Sequence, residues 1–124
     1  MPIDQLQHVN IRCADVERTK DFYVQILGLR VGERPPFQST GYWLYLGGHP
    51  IVHLVQRPAG DVPKVGSGNL DHVGFRGVDL DATRAALARA GLTYREQVVP
   101  RDGVVQIFVP DPDGIQVELN FDPA

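Results

Sequence analysis

Cysteine is almost absent. Cys13 stands alone among 124 residues, so no internal disulfide can brace the fold, and a packed apolar core has to hold it together. A single thiol agrees with a reducing compartment. Long apolar runs are missing as well: none approaches the roughly 18 residues that a membrane span requires, and residues 1–7 lack the basic and apolar regions of a secretion signal. The sequence therefore predicts a soluble, cytoplasmic protein with no membrane partner. Positive charge is not in excess either. Twelve basic residues face fifteen acidic ones, giving a formal charge of −3, and no basic stripe is present to neutralise a phosphate backbone, which argues against nucleic acid as a partner. What the chain does have is 43% hydrophobic residues, enough for one packed domain over residues 1–124.

Within that length the sequence repeats itself. His8, Val9, Arg12, Asp15 and Thr19 recur 64 residues later as His72, Val73, Arg76, Asp79 and Thr83, and with one further residue of offset Ile51-Val52-His53-Leu54 faces Gln116-Val117-Glu118-Leu119. The chain reads as module 1 over residues 1–57, a connector over 58–69 and module 2 over 70–124. Pro58, Gly60, Pro63, Gly66 and Gly68 give the connector the composition of an exposed linker.

Periodicity predicts the same elements in each copy. In the opening strand Val9, Ile11 and Cys13 alternate with polar residues, a period of two. Asp15 then caps a helix whose stripe is Val16, Thr19, Phe22, Tyr23, Ile26 and Leu27, and Gly28 supplies a left-handed stop. Asp79, then Leu80, Thr83, Leu87 and Ala90, and finally Gly91 repeat the design. Three strands follow each helix, at 30–33, 42–46 and 51–55 and again at 94–99, 104–109 and 116–121, separated by turns at Gly47-Gly48-His49-Pro50 and Asp111-Pro112-Asp113-Gly114. The fold class is α+β, two tandem βαβββ modules forming a cupped mixed sheet.

Four residues of metal-ligand type occupy matching places in the repeat: His8 and His72 on the opening strands, His53 and Glu118 on the closing ones. Strand parity places His8 with Asn10 and Arg12, His72 with Gly74 and Arg76, and Glu118 with Gln116 and Asn120, while Val9, Ile11, Val73, Phe75, Val117 and Leu119 point to the helix-covered side. His53 has the weakest parity, because Ile51 and Val55 on its own face are as apolar as Val52 and Leu54 on the other. A lone strand histidine is ordinarily a hydrogen-bonded structural residue; recurrence at equivalent positions is what points to ligation. Asn10, Arg12, Arg76 and Gln106 are candidates for holding a substrate carbonyl, carboxylate or phosphate, against their ordinary role as solvated polar groups. Trp43, with Tyr45 and Phe108, is a candidate pocket wall, against the commoner core role of strand aromatics. Cys13 falls on the apolar parity and reads as buried and inert.

The sequence resembles the vicinal oxygen chelate superfamily, which includes glyoxalase I, extradiol dioxygenases, methylmalonyl-CoA epimerase, fosfomycin-resistance thiol transferases and bleomycin-resistance proteins. Leu6-Gln7-His8-Val9, Phe22-Tyr23 with Leu27-Gly28-Leu29, Leu70-Asp71-His72-Val73 and Asp111-Pro112-Asp113-Gly114 before Val117-Glu118 carry the likeness over nearly the whole chain. Trp43-Leu44 and Ile51-Val52-His53-Leu54-Val55 also resemble a group of glyoxalase-like proteins. The resemblance implies a glyoxalase-like fold with His8, His53, His72 and Glu118 as the ligands of one divalent transition metal per site, Ni, Co, Zn, Mn or Fe(II). His53 departs from the pattern, since glyoxalase I has Glu and the epimerases Gln at that strand. The implied activity is a metal-dependent lyase or isomerase of glyoxalase I type acting on a small oxygenated substrate, with Glu118 as the catalytic base and His53 as an alternative. Extradiol Fe(II) dioxygenation, fosfomycin-type thiol transfer and metal-free drug binding are the alternatives. By the same resemblance the protein is a homodimer.

Overall fold

The computed structural model describes residues 2, 4–61 and 66–123; residues 62–65 of the connector expected at 58–69 lie outside the described residues. The chain forms two compact units, Met1–Pro63 and Lys64–Ala124. Each has the order strand, helix, three strands.

In the first unit β1 (Val9–Cys13) leads into α1 (Val16–Gln25), then β2 (Arg30–Gly32), β3 (Gly41–Leu46) and β4 (His49–Gln56). Asp15 starts the helix as read from the sequence: its backbone is extended and its carboxylate accepts the Arg18 N–H at 3.2 Å. Gly28, at φ +76°, ends the turn beyond it. The sheet order is β1-β4-β3-β2, with β1 parallel to β4 and the remaining pairs antiparallel. A parallel pair of first and last strands needs a long connection, which α1 supplies by crossing the sheet. Val16, Thr19, Phe22 and Tyr23 of α1 are buried, as are Ile11, Cys13, Leu44, Val52 and Leu54 of the strands it covers. Gln56 fixes the exit of β1, since its amide donates to the carbonyls of Cys13 and Ala14 and its oxygen accepts from Val16 N–H.

The second unit repeats this with β5 (His72–Gly77), α2 (Leu80–Arg89), β6 (Arg95–Val98), β7 (Val105–Pro110) and β8 (Gln116–Phe121), in sheet order β5-β8-β7-β6. Asp79 caps α2 through the Ala82 N–H at 3.0 Å. Val109, Val117, Leu119 and Leu87 form its core, but α2 buries only Leu87, and Val73 and Phe75 remain half-exposed. The buried carboxylate of Asp111 accepts the N–H groups of Asp113 and Ile115, closing the turn that aims β8.

The structure shows the α+β class and the two βαβββ modules, with small displacements from the sequence reading. His8 lies one residue ahead of β1 rather than on it. The turn expected at Gly47-Gly48-His49-Pro50 is only Gly47-Gly48, and His49 and Pro50 begin β4. Gly47 adopts φ +59°, so two residues suffice to reverse the chain. Pro50 is tolerated because the pairing of β3 with β4 slips between Leu44 and Tyr45, next to its partner position.

The two caps give a direct test of the shared design. Asp15→Ala and Asp79→Ala should each cost about 1 kcal/mol, read as a lower urea midpoint; a stability equal to the parent's would show that the caps do not hold these helices.

Candidate functional site

The polar face of each sheet carries one pair of the expected ligands. In the first unit His53 sits on β4 in register with Asn10 of β1 and Trp43 of β3. The residue is 9% exposed. It stacks on His8 with centroids 3.9 Å apart and planes tilted by 9°, and on Trp43 at 4.2 Å and 13°. Phe37 tilts against Trp43 at 6.3 Å. His53 Nε2 lies 3.0 Å from the Pro50 carbonyl; a carbonyl only accepts, so this nitrogen carries the proton and donates. Burial, then the neighbouring His8 and more weakly Arg34, push His53 below the usual imidazole pKa against the opposing pull of the Pro50 carbonyl. Its charged form is disfavoured.

In the second unit the corresponding row is Gly74 of β5, Glu118 of β8 and Phe108 of β7. His72 opens β5, and its Nε2 lies 3.6 Å from Glu118 Oε1. A side chain at Gly74 would place a Cβ 3.6 Å from Glu118 Oε2, so glycine there leaves the space beside the carboxylate open. Arg95 stands over the Phe108 ring at 4.1 Å.

Both lead histidines are held the same way. His8 Nδ1 lies 3.0 Å from Gln7 Oε1 and His72 Nδ1 lies 2.9 Å from Asp71 Oδ2. Gln7 Oε1 and the Asp71 carboxylate are acceptors, so in each ring Nδ1 carries the proton and Nε2 keeps its lone pair. This is the tautomer that a metal-ligating histidine adopts when a neighbouring oxygen orients it. The hydrogen bond to Asp71, followed by the charge of Glu118, raises His72 above the usual imidazole pKa against partial desolvation.

Glu118 is held from the other side. Asn120 Nδ2 donates to Glu118 Oε2 at 2.9 Å, Gln106 Nε2 donates to Asn120 Oδ1 at 3.0 Å, and Gln97 Nε2 donates to Gln106 Oε1 at 2.8 Å. Three amides thus form a ladder across β6, β7 and β8 that fixes one carboxylate oxygen and leaves Oε1 toward His72. Gln106, expected as a substrate contact, spends both ends of its amide inside this ladder. Arg12 is paired with Asp61 at 3.8 Å and Arg76 with Asp122 at 2.6 Å. Asn10 is exposed beside His53, and Trp43 is the outer member of the ring stack. Arg76, Asp79, Arg84, Phe121 and Asp122 line a cleft of about 510 Å³ whose walls include neither His72 nor Glu118.

Gln7, Asp71, Gln97 and Asn120 were not singled out by sequence reasoning. Two of them were open to it: Gln7 and Asp71 hold the same repeat position, immediately before each histidine. The amide ladder depends on cross-strand register, which no periodicity encodes. Within each unit the described residues bring two ligand-type groups together, His8 with His53 and His72 with Glu118. A lone pair stays free in each pair, at His8 Nε2 in the first unit and at His72 Nε2 and Glu118 Oε1 in the second, donor types that borderline divalent ions accept; among the described residues no three such groups gather at one point.

A duplicated βαβββ chain with imidazole and carboxylate donors on its polar sheet faces defines a glyoxalase-fold protein. A sequence model of the Glyoxalase/Bleomycin resistance protein/Dioxygenase superfamily matches residues 5–119, and the chain belongs to that superfamily, the vicinal oxygen chelate proteins. It is 30% identical to glyoxylase I 4 of Arabidopsis thaliana over 94% of this chain and 70% of that protein, and 30% identical to the lactoylglutathione lyase of Haemophilus influenzae over 93% and 90%. Among solved structures, a glyoxylase/bleomycin resistance protein/dioxygenase domain from Frankia sp. EAN1pec superposes with a TM-score of 0.80 at 21% identity, covering 97% of this chain and 98% of that one. A glyoxalase/dioxygenase from Nostoc punctiforme gives 0.78 at 18% identity, covering 97% and 92%. These two likenesses support the fold.

The Asp71 hydrogen bond should be visible in the titration of His72. Asp71→Asn removes the largest influence holding His72 up, so the midpoint of the His72 Cε1–H NMR shift should move down in pH. An unmoved midpoint would show that Asp71 does not hold Nδ1–H.

Proposed function

We propose that this protein is a divalent-metal-dependent enzyme of glyoxalase I type, a lyase or isomerase acting on a small substrate with two neighbouring oxygens. The observation that carries the reading is the shared tautomer of His8 and His72, each with Nδ1 tied down and Nε2 free, together with a Glu118 carboxylate held by one oxygen. Relatives named lactoylglutathione lyase at about 30% identity support the reaction class. Among the described residues no helix is long and apolar enough to cross a membrane.

In this reading the ligands of Ni, Co, Zn, Mn or Fe(II) are drawn from His8, His53, His72 and Glu118. The ion, when bound, supplies Lewis acidity at the two substrate oxygens. Glu118, detached from the ion, moves the proton: it accepts it at Oε1 from the substrate carbon beside the carbonyl and returns it to the adjacent carbon, an isomerisation that consumes no other reactant. The amide ladder keeps Oε2 occupied, so the proton has one place to go. Trp43 and Asn10 stand in the His53 row as the nearest candidates for substrate contact. The working form in this reading is a homodimer.

Glu118→Gln tests the assignment. Turnover of methylglyoxal with a thiol should fall by about 10²-fold or more, the scale of a lost general base, while metal still binds with reduced affinity; a fully active variant would refute the role. Elemental analysis of protein purified without added metal is the companion measurement, and a metal-free protein that retains only drug binding would place it with the binding members of the superfamily. A second reading has its own observation. Two histidines and one carboxylate are the donor set of non-haem Fe(II) oxygenases, so catechol cleavage in the reduced, iron-loaded protein would replace the lyase assignment, and thiol addition to fosfomycin would replace it likewise. Dilution should lower metal affinity if the homodimer completes the site; a monomer with undiminished affinity would count against it.

A further inference from the structure

We infer that His53 is a positioning residue that holds the His8 ring, and not a ligand of the metal. The inference rests on the metal reading above, and it is carried by the geometry of three stacked rings. A metal bound through an imidazole nitrogen lies in the plane of that ring, at about 2.0–2.1 Å from the nitrogen. The planes of His8 and His53 are tilted by only 9°, with centroids 3.9 Å apart. Two such planes run side by side and do not meet within bonding reach of both rings, so one ion cannot lie in both. In this arrangement either His8 or His53 ligates.

Exposure and stacking decide which. His8 has Nδ1 tied to Gln7 and Nε2 free, at an exposed edge of the unit. His53 has Nε2 donating to Pro50, its two faces covered by His8 and Trp43, and little exposure. The Pro50 bond leaves His53 a lone pair on Nδ1, but that ring is enclosed on both faces, and turning it outward to ligate would open both stacks at once. His53 is therefore the middle layer of a sandwich: Trp43 backs it, the Pro50 carbonyl fixes its edge, and its outer face sets the plane of His8. The Asp71 carboxylate orients His72 and the Asn120 amide N–H orients Glu118, whereas His8 has the Gln7 oxygen and, in addition, a ring face.

Two variants separate the roles when zinc alone is titrated into the full chain. His53→Phe keeps a flat ring between His8 and Trp43 while removing both nitrogens, and should retain the parent's zinc affinity. His53→Ala removes the platform and should weaken zinc by roughly 10- to 100-fold, the scale of a lost orienting partner. Equal loss in both variants would overturn the inference, because it would mean that a nitrogen of His53 is what the ion needs. The parent protein provides a second measurement that does not depend on a variant folding. In ¹⁵N spectra of the histidine rings, one equivalent of zinc should move Nε2 of His8 and His72 and leave both His53 nitrogens at their metal-free positions; a metal-bound shift on His53 would overturn the proposal. Failure of the metal reading itself looks different: no ring would shift, and His8→Ala and His72→Ala would leave zinc binding as weak as in the parent, which would also remove the role assigned to His53.

Discussion

The alternation of side chains along the last strand of each unit is the constraint from which the rest follows. Val52 and Leu54 on β4, and Val117 and Leu119 on β8, are buried. Residues on one side of a strand must leave the other side to their neighbours, so burying these pairs forces His53 and Glu118 onto the opposite face. A slip by one residue would send both into the helix-covered core and unpair a charge there, a cost far above that of any surface contact. Apolar burial, which stabilises the fold, therefore also fixes the side on which the chemistry sits.

Parallel pairing of first and last strands adds the second coordinate. Asn10 is in register with His53, and Gly74 with Glu118, so the histidine two residues earlier in each chain segment arrives at the open end of the same row. A hairpin would have brought a sequence neighbour beside the last strand. The crossover through α1 or α2 instead brings a residue from far along the chain, and the Asp15 and Asp79 caps make that crossover reproducible in both copies. The repeat positions thus become equivalent in space within each unit, down to the oxygen that ties each lead histidine.

Much of this was legible in the sequence because it depends on short-range rules. Asp15 and Asp79 precede apolar stripes of helical period, Gln116 to Phe121 alternates cleanly, and Cys13 falls on the buried parity, fully shielded in the fold. What could not be read depends on partners distant in sequence. Gln106 looks like a free polar side chain on its strand, yet register sets it between Gln97 and Asn120. His53 looks equivalent to Glu118 by position, and its apolar neighbours Ile51 and Val55 gave only a hint of its surroundings. Its commitment to the Pro50 carbonyl arises because β4 starts earlier than the turn residues suggest, at His49.

The two halves have kept one frame and filled it with opposite physics. The row in the first unit is aromatic: Trp43 and His8 enclose His53, and desolvation disfavours a charge on that imidazole. The row in the second unit is polar: Gly74 withdraws its side chain, Asn120 grips one oxygen of Glu118, and Asp71 and Glu118 favour the proton on His72. A neutral stacked ring resists both proton uptake and displacement, so it suits orientation. A carboxylate held by a single oxygen, close to an imidazole with a raised pKa, is suited to proton exchange. Duplication supplied two equivalent positions, and the side chains around them have made one an enclosed aromatic ring and the other a carboxylate with one oxygen open.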